Sequence, residues 1–379
     1  MQLEKFAYQD KNTGWNLEEV NFEKLTLLVG ASGVGKTKIL QSILNLKAIA
    51  EGKAIAGCKW ELRFKTITNE QYHWKGEFQT DNNASIANEK AANKPNPKIV
   101  FEEIFLNGKL IVDRFDDKIV FDGAATPKLS FQQSAIYLLK EEEKIKPAYL
   151  GFSNIIFSDQ STNIPASSAY SLPNEQEILA AYDNLEKIQN SDFDIPRKLF
   201  LAFHNAPVIF KSILDRYSEI FPKIEAVKIE LKPEDDFSVL FSMSPNPVIL
   251  LKEIGVKNWI MQEHISSGML RSLLLISSIY LCSEGTVFLI DEFENSLGVN
   301  CIDELTSEIL NSRRKLQFIL TSHHPYIINN IDFVYWKVVT RNNGKVKTHN
   351  ARELNLGRSK HDAFMQLLQL EEFQTGTMA

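Results

Sequence analysis

Gly30-Ala31-Ser32-Gly33-Val34-Gly35-Lys36-Thr37 matches G-x-x-x-x-G-K-[ST] in full. Each residue type has a task. The glycines let consecutive backbone N–H groups turn inward around a phosphate. Lys36 brings a point charge to the β- and γ-phosphates, and Thr37 brings a hydroxyl to Mg²⁺. A helix opening at Thr37 aims its positive end at the same anion. The loop follows the apolar run 24–29 and precedes a helical pattern at 38–46, which is the strand-loop-helix context this chemistry needs. A chance match in a chain of this length has a probability on the order of 1%.

Three further groups could serve the same reaction. The apolar strand 286–290 ends in Asp291-Glu292. An acid at that position can hold Mg²⁺ directly or through water, and its neighbour can orient or deprotonate the attacking water. The long stretch of chain between Lys36 and Asp291 requires an insertion in the nucleotide domain. Leu320-Thr321-Ser322-His323-His324-Pro325 follows another apolar strand, 316–320. His323 should therefore emerge at the carboxyl edge of the sheet, where ligands of open parallel sheets bind. There its imidazole could donate to the γ-phosphate or hold the water, while His324 reads as a solvated loop histidine. Ser266-Ser267-Gly268 stands before the apolar helix 272–281. A helix N-terminus with a serine hydroxyl can cradle an anion, although on its own such a serine reads as an N-cap.

Together these residues resemble ABC-type ATPases of the SMC, RecF and OLD branch. Ile265-Ser266-Ser267-Gly268-Met269-Leu270-Arg271 is similar to the L-S-[GS]-G signature, with Ile265 for Leu and Met269-Leu270 where Gln or Glu is more common. Asp291-Glu292-Phe293-Glu294-Asn295-Ser296-Leu297 is similar to D-E-P-E-x-x-L, with Phe293 for Pro and 294–297 as the loop facing a dimer partner. The stretch from Thr321 to Pro325 is similar to the T-S-H-x-P switch loop, His323 being the matching position. The resemblance implies ATP as substrate and Mg²⁺ as cofactor. Nucleotide would be bound by Gly30, Ala31, Ser32, Gly33, Val34, Gly35, Lys36 and Thr37. Ser266, Ser267 and Gly268 would reach the γ-phosphate held by the opposite subunit. Glu292 and His323 would be catalytic, with Thr37 and Asp291 on the metal. The family's lid glutamine, on both metal and nucleotide, is placed at Gln133, with Gln132 as its rival. Trp15 or Phe6, in the first hairpin, could stack on adenine, although each reads more readily as core.

The implied fold class is α/β, a P-loop ABC-type ATPase head with an antiparallel β subdomain and a helical insertion. Residues 1–135 would be the N-terminal part of the ATPase domain, 136–254 a helical insertion with a small sheet, and 255–379 the C-terminal part. The resemblance covers 1–135 and 255–340; the middle lacks the sustained heptads of a long coiled-coil arm. As partners it implies an ATP-dependent homodimer or higher homo-oligomer and a separate effector such as a nuclease or toxin. The setting would be DNA repair or anti-phage (antiviral) defence, with possible DNA or RNA contact. The alternative is a slow-turnover, nucleotide-gated scaffold that holds a toxic effector or nucleic acid.

The elements that must position these groups are legible in outline. Hairpin strands 3–8 and 15–20 precede the strand 24–29. Strands 58–68, 71–80, 98–106, 109–115 and 118–121 form meanders with turns at Asn69-Glu70, Asn107-Gly108 and Asp116-Asp117. A polar loop, 81–97, separates them. Helices are expected at 132–145, 174–189, 196–221 and 301–310, and strands at 224–231, 237–242 and 248–252. The strand-helix-strand alternation after 286 is that of a parallel sheet.

Composition narrows the classes further. Of 379 residues, 44% are hydrophobic and 24% charged, ordinary globular usage. The net charge of −6 confines any nucleic-acid contact to a local patch. Arg313-Arg314-Lys315 reads first as a complement to a helix dipole, with DNA phosphates as the alternative. Cys58, Cys282 and Cys301 are odd in number and lack metal-ligand spacing, which fits a reducing, cytoplasmic setting. No signal peptide is apparent, and the longest uncharged apolar run, 272–283, is short of the ~20 residues that span a bilayer, so no membrane contact is expected. A small GTPase is disfavoured because Asn93-Lys94-Pro95 fails to complete N-K-x-D. A transporter subunit is disfavoured by the signature variant and the insertion. The 56 residues after His323 carry no acidic cluster of a nuclease.

Overall fold

The computed structural model describes residues 1–80, 97–115, 118–158, 175–231, 247–295, 297–357 and 359–377. Residues 81–96 of the expected loop, the turn Asp116-Asp117, the expected strand 237–242 and Ser296 lie outside them. Internal contacts divide the chain into two compact units. One comprises Met1–Ser158, Glu284–Phe293 and Arg314–Ala379; the other comprises Asp159–Ser283 and Glu294–Arg313. The segments drawn on the sequence cut the chain elsewhere, because they follow motifs and these units follow contacts.

Among the described residues the first unit is built on one 14-stranded sheet. Its strands are β1 (Gln2–Asp10), β2 (Trp15–Asn21), β3 (Leu25–Val29), β4 (Cys58–Lys65), β5 (Gln71–Phe78), β6 (Ile99–Leu106), β7 (Lys109–Phe115), β8 (Lys118–Phe121), β9 (Ala124–Ala125) and β10 (Ile155–Ser158). The second unit contributes β11 (Ile224–Leu231), β12 (Pro247–Glu253) and β13 (Ile260–Met261) to a sheet of its own, and the first unit resumes with β14 (Val287–Ile290), β15 (Gln317–Thr321), β16 (Trp336–Asn342) and β17 (Lys345–Asn350). The order in the large sheet is β10-β14-β15-β3-β16-β17-β2-β1-β4-β5-β6-β7-β8-β9.

The two ends of that sheet follow different physics. From β10 to β16 all neighbours are parallel. Every residue of β3, β14 and β15 is buried, so these strands read as unbroken apolar runs. Ile290, Leu320 and Leu27 stand in one register row across the three. The far end, β1 and β4 to β9, is an antiparallel meander whose strands alternate buried and exposed residues, as β4 and β5 show. Trp60, Trp74, Phe64, Tyr72 and Phe78 fill its inner face. The turn Asn107-Gly108 has φ of 50° and 81°, the left-handed pair that a two-residue hairpin requires.

Three expected helices are shorter than the apolar pattern suggested, each for a local reason. The pattern at 132–145 yields only Ala135–Leu138, opened by Ser134, whose hydroxyl accepts from the Tyr137 N–H; a separate helix, Lys146–Ser153, starts around Pro147. The pattern at 174–189 divides into Glu175–Ala181 and Leu185–Gln189, the latter capped by Asn184. The pattern at 196–221 breaks at Ala206, whose φ of −135° and ψ of 58° reflect the steric demand of Pro207 on its predecessor.

In the second unit the helix Ser267–Leu281 packs on helices Ile195–Asn205 and Pro207–Ile220, with Leu273, Ile276 and Ile279 among its buried residues. Its three-stranded antiparallel sheet is β11-β12-β13. No helix among the described residues is long and apolar enough to cross a membrane.

Candidate functional site

Three parallel neighbours, β14, β15 and β3, deliver the chemistry to one edge. The glycine-rich loop leaves the carboxyl end of β3. Gly30 is required there by close approach: a Cβ at this position would stand 2.6 Å from the Val339 carbonyl oxygen of β16. Gly35, with φ of 108°, is the left-handed residue from which the helix Lys36–Ala50 departs. The Lys36 ammonium donates to the Gly30 and Ala31 carbonyls at 2.8 and 2.9 Å, so it is anchored over its own loop. Thr37 is exposed at the helix start.

Asp291 follows β14, one strand beyond β15. Its Oδ1 accepts from Thr37 Oγ1 at 3.1 Å and from Thr321 Oγ1 at 2.6 Å. The two residues expected on the metal, 254 positions apart in sequence, are thus in direct contact. Glu292 has a left-handed backbone, φ 46°, a conformation uncommon outside glycine and asparagine. His323 is exposed just past β15. His324 is more than a loop residue: its Nδ1 accepts from the Tyr326 N–H at 3.2 Å and caps the helix Pro325–Asn330. Its own N–H donates to Ser322 Oγ. His323→Ala is therefore expected to lower turnover by ~10²-fold with ATP affinity little changed. His324→Ala should instead lower stability by about 1 kcal/mol, the worth of a cap. Steady-state kinetics and urea unfolding of the two variants check this division; equal kinetic effects would contradict it.

The signature residues belong to the second unit. Ser266 caps the helix Ser267–Leu281, its Oγ accepting from the Met269 N–H at 3.3 Å. Ser267 is exposed at the first helical position, and Gly268 follows it.

Gln133 is a correction. The neighbouring Ser134 hydroxyl donates to the Ile49 carbonyl at 2.8 Å, at the far end of the helix that starts at the loop. Twelve helical residues from Thr37 to Ile49 span about 18 Å, beyond the reach of a glutamine side chain. The structure does not bring Gln133, or Gln132 beside it, to the phosphate loop or to Asp291. Strands that end at the carboxyl edge reach Asp291 directly. The missed strand β10 is one such: its Ser158 carbonyl accepts from the Asp291 N–H. Trp15 and Phe6 are 2% and 0% exposed and serve as core; the Trp15 indole lies against Gly35.

What holds the 130–135 turn is a buried ion pair. Arg114 donates to the Gln133 and Ser130 carbonyls at 2.7 and 2.8 Å and faces Glu102 at 3.4 Å. Glu102 also accepts from Trp74 Nε1 and from the Ala135 N–H. Burial pushes its carboxyl pKa up, and Arg114 and the N–H donors oppose that. Arg114→Met should cost about 3–5 kcal/mol, since it strands a buried carboxylate. Adding Glu102→Leu should recover much of the loss, and urea unfolding of both variants measures it.

Arg341 was not legible as a site residue. It follows the buried core of β16, its Nη1 is 3.4 Å from the Gly33 carbonyl, and its N–H donates to the Gly376 carbonyl. No motif announces it. Arg314 is paired with Glu284.

A family model described as "AAA domain, putative AbiEii toxin, Type IV TA system" matches residues 140–329, half of the chain. The chain belongs to this AAA-domain family. The matched part of the AAA domain contains Ser266 to Gly268, Asp291, Glu292 and His323, and the phosphate loop lies upstream of it. Similar solved structures are SMC heads. One is an SmcHead bound to the C-winged helix domain of ScpA, 15% identical over 92% of this chain and 97% of that one, TM-score 0.46. Another is an Smc head with an extended coiled coil bound to the C-terminal domain of ScpA from Pyrococcus furiosus, 14% identical over 97% and 98%, TM-score 0.48. A third is an SMC head domain from Thermotoga maritima, 14% identical over 92% and 99%, TM-score 0.41. No curated protein matches.

The donor set of this AAA domain suits Mg²⁺ with ATP. Mg²⁺ takes one or two protein oxygens and completes its octahedron with water and phosphate. Thr37 Oγ1 and Asp291 Oδ1 supply such a pair. Among the described residues no cluster of three or more His, Cys, Asp or Glu forms an all-protein cage.

Proposed function

We propose that the protein binds MgATP on the loop 30–37 and hydrolyses it, working as a homodimer whose opening and closing controls a separate effector. The observation that carries this reading is the Thr37–Asp291 contact at the carboxyl edge of three adjacent parallel strands. Lys36 and the loop N–H groups hold the β- and γ-phosphates. Bound Mg²⁺ would neutralise charge on the phosphate oxygens. Glu292 takes a proton from water as its oxygen attacks the γ-phosphorus, the bond to the β-bridging oxygen breaks, and ADP leaves. His323 steadies the γ-phosphate or the water. Ser266, Ser267 and Gly268 present a helix N-terminus to the nucleotide of the second copy. The family's description names a putative toxin of a Type IV TA system, which supports a toxin–antitoxin setting.

Mixing two variants tests the shared site. Ser267→Arg should block ATP-driven pairing but leave single-chain ATP binding nearly intact, and Lys36→Ala should weaken ATP binding and abolish turnover. Each alone should be inactive. A mixed dimer holds one site with both defects and one with neither. A 1:1 mixture should therefore regain up to about a quarter of parental turnover, as expected for a two-fold symmetric pair. No recovery where mixed dimers demonstrably form would contradict the shared site.

A further inference from the structure

Thr321 lies where the metal-side acid, the expected base and the switch strand meet. It is 1% exposed and is the last residue of β15, two positions before His323. Its hydroxyl makes two bonds of opposite sense. The O–H donates to Asp291 Oδ1 at 2.6 Å, and the oxygen accepts from the Glu292 N–H at 2.8 Å. A hydroxyl has one proton to give, so the donation to the carboxylate leaves its lone pairs for the amide. The Thr321 carbonyl accepts from the next amide, Phe293 N–H, at 3.0 Å. Phe293 is fully buried and locks the corner from the other side. Between these bonds sits Glu292 with its φ of 46°, a backbone conformation that a non-glycine residue keeps only where its surroundings over-determine it. Two bonds from one threonine supply that determination.

We infer that Thr321 is a positioning residue of the hydrolytic step: its hydroxyl holds Glu292 in its left-handed conformation, orients Asp291 towards Thr37, and ties both acids to the strand that carries His323. It touches no substrate. It acts through Glu292 and Asp291, so the inference rests on their proposed roles. A consequence is that the switch loop and the base cannot move independently, because the end of β15 is bonded to the residues on either side of the Glu292 peptide.

Valine has the shape of threonine without the hydroxyl, and serine keeps the hydroxyl without the methyl. Steady-state hydrolysis by the full chain should show Thr321→Val reduced about 10- to 100-fold in kcat, as expected for a slightly misplaced base. KM for MgATP should stay within about threefold, because the loss falls on the transition state. Thr321→Ser should keep kcat within about threefold of the parent. Parental kcat in Thr321→Val would overturn the inference. So would a folded Thr321→Ser slowed about 10-fold or more in kcat, a result that does not depend on whether the valine variant folds. Glu292→Gln run in parallel separates the two levels. If it turns over at the parental rate, the base assignment fails. If it is slow while Thr321→Val is unimpaired, the base stands and the positioning role falls.

Discussion

Glu292→Gln is expected to slow ATP hydrolysis by ~10²- to 10⁴-fold, the range for loss of a general base. Glutamine retains the size of glutamate and cannot take the proton from water. The hydrogen bonds that fix this corner, donated by the Glu292 and Phe293 N–H groups to Thr321 Oγ1 and the Thr321 carbonyl, do not depend on the Glu292 side chain. The metal-side contact of Thr37 with Asp291 is also untouched. Affinity for MgATP should therefore change little, and ATP-bound dimers should accumulate. Phosphate release and size-exclusion chromatography with ATP measure the two effects. Asp291→Ala should behave differently and lose the Mg²⁺ dependence of binding, because it removes the oxygen that Thr37 and Thr321 share. Identical behaviour of the two variants in binding and turnover would undo this division of labour.

Lys36→Ala should weaken ATP binding by about 10- to 100-fold, the worth of a charge-assisted hydrogen bond of ~1.5–3 kcal/mol, and abolish measurable turnover. The ammonium is the cation that the loop holds over its own Gly30 and Ala31 carbonyls. Its removal also leaves those carbonyls to water, which a half-buried loop can supply. Lys36 lies outside the hydrophobic core cluster, so thermal unfolding should shift by only a few degrees. Titration calorimetry and circular dichroism check the two halves of this expectation. Parental hydrolysis in the variant would remove the loop from the chemistry.

The loop, the acidic strand end and the switch histidine were legible because each is a chemical pattern attached to a single strand, and β3, β14 and β15 are continuous apolar runs. Three neighbouring parallel strands then bring the groups together, as the apolar runs and their alternation with helices implied. What could not be read was adjacency that no pattern encodes. Gln133 follows the β-rich segment in sequence, but the turn that carries it is fastened by Arg114 and Ser134 at the wrong end of the helix Lys36–Ala50. β10 is only four residues long, too short for periodicity to separate it from the helices around it. β16 and β17 carry a single hairpin signal, Asn343-Gly344, with Asn343 at φ 55°. The broken helices show apolar spacing overruled by a proline or a capping side chain. Thr321 is silent in the sequence, because a hydroxyl that donates to a carboxylate and accepts from an amide leaves no trace in residue spacing.

The most direct test of a MgATP site at the carboxyl edge of β3, β14 and β15 is calorimetric titration of the full chain with ATP. It is done with Mg²⁺, then with excess chelator, and then with Mg²⁺ on Asp291→Ala. Expected is saturable binding with Mg²⁺, weakened by the chelator, and weakened to the same degree by the substitution even when Mg²⁺ is present. Binding that is indifferent to both the metal and Asp291, or no binding at all with Mg²⁺, would contradict the site.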